Sequence, residues 1–188
     1  EGRGPTPSSM AGDWYLELSK PVLWDEESHP DHTQTTRLTL LSVLEASLRL
    51  CHPLMPYITE EIWQRVSPLL DMRAKDEDKS LMMQSYPQFD STLIDPEAEA
   101  DIDWVKGIIL GIRNIRGEMD IAPGKAIPVL LRNGSSEDRR RLDENRLFLI
   151  KLAKLTDITY LSSDEEAPMS ATQLHGDVEI LVPLAGLI

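Results

Sequence analysis

The sequence predicts an α+β chain, a helical part followed by a small mixed α/β part, and three observations carry that prediction. Apolar residues recur at helical spacing in three stretches: Leu38, Leu41, Val43, Leu44, Leu48 and Cys51; Ile62, Trp63 and Val66; then Ile102, Val105, Ile108, Ile109, Ile112 and Ile115. Beyond Gly117 the pattern changes to short apolar runs of strand length over 126–131, 158–161, 171–175 and 178–183. The last two runs flank Gly176-Asp177, a two-residue connection suited to a hairpin.

The elements follow in order. Residues 1–12 are rich in Gly, Pro and Ser and read as an appended, flexible leader, in which Met10 could serve as an initiator. Trp14, Tyr15, Leu16 and Leu18 form a short helix that Pro21 should stop, and a polar loop follows to about Gln34. Thr35 or Thr36 can cap the helix that ends near Cys51. Pro53 and Pro56 make a corner, after which Thr59 opens a helix with Glu60 and Glu61 at its positive end. A charged loop (71–79) and an extended segment (81–87) lead to Asp95-Pro96, a capping Asp with Pro at the first helical position. Pro123-Gly124 turns the chain into a strand, Ser136 caps a helix to about Lys154, and a second strand precedes the hairpin. The organisation is thus a leader (1–12), a helical part (13–94), and an α/β part with a linking helix (95–188), the helix after Asp95 packing between the helical and α/β parts.

Composition narrows the function classes. With 188 residues and 41% hydrophobic content the chain can bury one large core or two small ones. It carries no apolar run of membrane-span length and no secretion-signal pattern, which fits a cytoplasmic setting with no membrane partner. The lone Cys51 cannot form an internal disulfide and reads as a small core residue. A net charge of −13 argues against a free-standing nucleic-acid binder, since phosphates call for clustered cations, but the objection weakens for one piece of a larger enzyme.

No phosphate-binding loop, dinucleotide turn or nucleophile elbow is present, so no catalytic residue is expected. His29-Pro30-Asp31-His32 holds two imidazoles and a carboxylate, yet without a nearby Cys it reads as a solvated loop and no metal is expected. His52 reads as a backbone cap, Tyr57 and Trp63 as core aromatics, and Trp14 as either core or a stacking face. Arg113 and Arg116, three apart on one helix face, could grip a phosphate together, with Lys106 before them and Lys125 after. Cations near a helix C-terminus are also favourable without any ligand, and both readings stand. Arg139, Arg140 and Arg141, interleaved with acids, read as a solvated helix face.

The corner itself, His52-Pro53-Leu54-Met55-Pro56-Tyr57-Ile58-Thr59-Glu60-Glu61-Ile62-Trp63, resembles the signature of the anticodon-binding helical domain in class I aminoacyl-tRNA synthetases for valine, isoleucine, leucine and methionine. Asp13 to Pro21, Arg113 to Met119, Ile121 to Lys125 and Leu181 to Ile188 are similar to the valine-specific branch of that family, as found in bacteria; the isoleucine branch usually lacks the Arg-Asn-Ile-Arg and Pro-Gly-Lys run. The resemblance covers nearly everything from Asp13 onward.

What the resemblance implies is an anticodon-binding-like bundle, incomplete at its N-terminus, within a valine–tRNA ligase. Valine tRNA and the rest of the parent synthetase would be the partners. The parent would use ATP with magnesium, whereas this chain would hold no cofactor, because the HIGH and KMSKS motifs are absent from it. The candidate tRNA-facing residues are Trp14, Lys20, Lys106, Arg113, Arg116 and Lys125. The alternatives are a structural connector between the catalytic body and a C-terminal coiled coil, or the equivalent region of the isoleucine enzyme.

Overall fold

The computed structural model describes residues 7–24, 30–70, 80–162, 165 and 167–184. The first leader residues, His29, the charged loop 71–79 and the last four residues lie outside the described residues. The chain forms two compact units, one made of residues 1–21 with 95–188 and the other of residues 22–94. The sequence predicts 13–21 within the helical part, whereas the structure joins them to the unit that holds 95–188. The first helix, α1 (Pro7–Trp24), begins inside the stretch set aside as a leader and runs through Pro21, which is buried, rather than stopping there.

The larger unit is built on α4 (Pro96–Glu118), whose start follows from the sequence: the Asp95 carboxylate accepts from the Glu97 and Ala98 N–H groups, with Pro96 at the first position. One apolar stripe of α4 is sealed, with Val105, Ile108, Ile109, Ile112 and Ile115 all at 0% exposure. At about 1.5–3 kcal/mol per buried aliphatic side chain, this stripe is the main apolar contribution of any single helix. It packs with Trp14 and Leu18 of α1 and with the sheet formed by β1 (Ile127–Arg132), β2 (Leu155–Tyr160), β3 (Ser170–His175) and β4 (Val178–Pro183). The order is β2-β1-β4-β3.

The crossover helix α5 (Ser136–Ala153) makes β1 and β2 parallel, while β4 runs antiparallel to β1 and to β3. Gly176, at φ 58, turns the β3–β4 hairpin as the sequence predicted. The α5 cap is Ser135, one residue before the predicted Ser136, in a reciprocal arrangement with Asp138. Strand β2 begins three residues earlier than predicted because Lys154, at φ 51, reverses the chain immediately after α5. Arg140 and Arg141 are not merely solvated: both hold Asp101 of α4, pinning α5 to it.

The smaller unit contains α2 (Pro30–Cys51) and α3 (Pro56–Val66). Helix α2 starts at Pro30, five residues ahead of Thr35, so the predicted loop is shorter; proline's fixed φ suits a first helical position. Helix α3 is preceded by Met55, and Thr59 lies inside it, donating its hydroxyl to the Met55 and Pro56 carbonyls instead of capping. The segment expected to be extended over 81–87 contains a 3-10 turn at Leu81–Met83.

Candidate nucleic-acid interface

The six candidate residues fall into different environments. Trp14 is buried in the α1–α4 core, and the exposed Arg113 guanidinium lies over its ring at 5.4 Å from the centroid. Such a contact contributes about 0.5–1 kcal/mol and orients the cation without consuming its hydrogen-bond donors. Lys20 is paired with Glu17, one turn earlier on α1. Lys106 donates to Asp103 at 2.9 Å. Both pairs place a carboxylate where a phosphate would have to approach.

Arg116 points the other way. It is 7% exposed and meets no carboxylate among the described residues; its Nη1 donates to the Lys125 carbonyl at 2.8 Å and the Ala122 carbonyl at 3.3 Å, and its Nη2 to those of Ala153 and Lys154 at 3.0 and 2.9 Å. Burial pulls its pKa below the ordinary value, although a guanidinium stays charged at neutral pH. The positive head thus takes up carbonyls at the C-terminal end of α5, where the helix dipole is negative. The expected joint grip of Arg113 and Arg116 on one phosphate is not formed, since one guanidinium lies on Trp14 and the other is inside. Helical spacing places two residues on neighbouring faces without fixing which side chain turns inward.

Lys125 is exposed at the end of the loop that Arg116 secures, and its N–H donates to the Ala122 carbonyl at 3.0 Å. The structure therefore brings together Trp14 with Arg113, and Arg116 with the Lys125 backbone. Lys20 and Lys106 remain with their own acids.

The corner sequence is organised from within. His52 Nδ1 and the Thr59 hydroxyl lie 2.8 Å apart across the two prolines, so His52 holds a side chain rather than the backbone cap predicted. Glu60 accepts from the Leu81 N–H and the Ser80 hydroxyl, tying α3 to the following turn. Burial opposes ionisation of Glu60, but hydrogen bonds from Gln64, Leu81 and Ser80 outweigh it and hold its pKa below the ordinary value. Trp63 is buried as predicted, and its indole N–H donates at 3.0 Å to Glu45, which is itself buried and bonded to Arg49. The sequence alone does not single out Glu45; its place amid apolar positions on α2 is the signal it offers. Tyr57, expected in the core, is 91% exposed, and Cys51 is only half-buried.

The corner closes a helical unit, and the α/β unit carries a surface arginine held over a buried indole. The family model for the anticodon-binding domain of tRNA ligase matches residues 9–131, well over half of the 188-residue chain, and the chain belongs to that family. Among the described residues, no helix is long and apolar enough to cross a membrane.

Proposed function

We propose that this chain is the anticodon-arm-binding portion of a valine–tRNA ligase. Family membership over residues 9–131 carries the reading as far as a tRNA ligase. The stretches Asp13 to Pro21, Arg113 to Met119 and Ile121 to Lys125 favour valine over isoleucine. Valine activation with ATP and magnesium falls to other domains of the parent, in the cytoplasm, and this chain supplies grip on the tRNA. Arg113, displayed on Trp14, is the contact that the geometry favours among the six candidates.

Anisotropy titration of the chain with a labelled valine tRNA transcript tests this directly. Weak, salt-sensitive binding that Arg113→Ala reduces is expected. No binding at low salt would refute it. Charging assays on the parent enzyme with valine and isoleucine decide the amino acid.

A second reading, the structural connector, is favoured by one observation: Arg116 spends its charge inside the fold, while Lys20 and Lys106 pair with acids of their own helices at the surface. A footprint on valine tRNA that is indifferent to Arg113→Ala would favour it.

A further inference from the structure

Lys125 and Lys154 are far apart in sequence, yet the same buried guanidinium holds both backbone carbonyls, and the Ile127 N–H donates to the Lys154 carbonyl at 3.4 Å. Lys151 lies in the last turn of α5, three residues before Lys154. Three lysines and the buried Arg116 therefore gather at one end of α5 in a chain whose net charge is −13. Lys151 and Lys154 are exposed, and neither forms an ion pair among the described residues. Asp157, the next carboxylate along β2, is already held by Arg146.

We infer that Lys151 and Lys154, set beside the Ala122–Lys125 loop by Arg116, bind backbone phosphates of RNA; the inference rests on the tRNA-binding reading above. The negative end of α5 alone would attract one cation, but Arg116 already occupies its terminal carbonyls. The lysine side chains beyond it project their charge toward solvent. Next to them, Ala122, Pro123 and Gly124 are exposed and small, and a side chain added at Gly124 would meet only open space, so a sugar-phosphate strand can approach. The exposed part of this loop offers no aromatic face on which a base could stack. The chemistry therefore suits phosphate, which fixes register, rather than base identity.

The test is the salt dependence of binding, measured by anisotropy of the chain with two fluorescein-labelled RNA stem-loops of unrelated loop sequence. Lys151→Gln combined with Lys154→Asn removes both charges and keeps a residue tolerant of the left-handed backbone at 154. The slope of log affinity against log salt should become shallower by about 1.5–2, equally for both RNAs. Arg65→Gln, which removes an exposed cation paired with Glu61 in the other unit, should leave the slope unchanged. An unaltered slope in the double variant, or an equal loss in Arg65→Gln, overturns the inference alone. Failure of the unsubstituted chain to bind either stem-loop at low salt, while it still binds the valine tRNA transcript, overturns this inference alone; failure to bind that transcript as well overturns the tRNA reading and this inference with it.

Discussion

Replacing Arg116 by Met keeps the aliphatic stem but removes the charged head from four carbonyls, three of which lie within 3.0 Å. Hydrogen bonds to a charged group are each worth about 1.5–3 kcal/mol, so the three short ones amount to roughly 4.5–9 kcal/mol gross. Withdrawing the buried charge returns several kcal/mol of desolvation cost, leaving a net destabilisation of about 3 kcal/mol. The unit concerned is Glu1–Pro21 plus Asp95–Ile188, a size for which about 4 °C per kcal/mol applies. Thermal unfolding followed by circular dichroism should therefore show this unit's Tm falling by about 12 °C. Arg116→Lys, with no fork to span the α5 end and the loop, should fall between the two. A surface phosphate ligand would behave differently, because its loss changes stability by no more than about 0.5 kcal/mol. A Tm drop below about 2 °C in Arg116→Met would refute the clamp.

Other substitutions probe separate joints. A Cβ at Gly134 would lie 1.6 Å from the Tyr160 hydroxyl, so Gly134→Ala should destabilise by about 1–3 kcal/mol in urea unfolding, and a neutral result would mean that Tyr160 moves aside freely. Trp63→Phe retains an aromatic ring but deprives Glu45 of a buried donor, and should cost about 1–3 kcal/mol by the same measurement. Burial opposes ionisation of Asp101, but hydrogen bonds and charge from Arg141 and Arg140 outweigh it, so its folded pKa lies below the ordinary 3.8. The stability it contributes is complete above that unfolded value and is lost as pH falls through the lower, folded value. Asp101→Asn should therefore flatten the dependence of Tm on pH below about 4, and an unchanged acid limb would remove the Asp101 clasp from the account.

The legible parts of the fold were those with strong local chemistry. Asp95-Pro96 and Gly176-Asp177 specify their own backbone geometry, and the isoleucine spacing of α4 identifies its buried stripe without knowledge of what covers it. Proline positions were less legible: the sequence predicts a helix stop at Pro21 and a loop around Pro30. Pro21 sits within α1 and Pro30 begins α2, because tertiary packing can offset a lost N–H bond and a first-turn proline loses none. The corner's sequence was recognisable, but its bonding was not: His52 to Thr59 and Trp63 to Glu45 join residues seven and eighteen positions apart, beyond what propensity reports. Among the candidate residues, cation identity was readable and direction was not. Arg113 and Arg116 look alike on a helical projection, yet the loop that follows α4 provides carbonyls for only one of them.

Hydrogen–deuterium exchange of the chain, with and without valine tRNA at low salt, bears most directly on the claim that this surface meets RNA. Added protection over the α4 segment at Arg113, the Ala122–Ala126 loop and the last turn of α5 is the predicted result. Unchanged exchange at all three, under conditions where the tRNA is demonstrably bound, would contradict it.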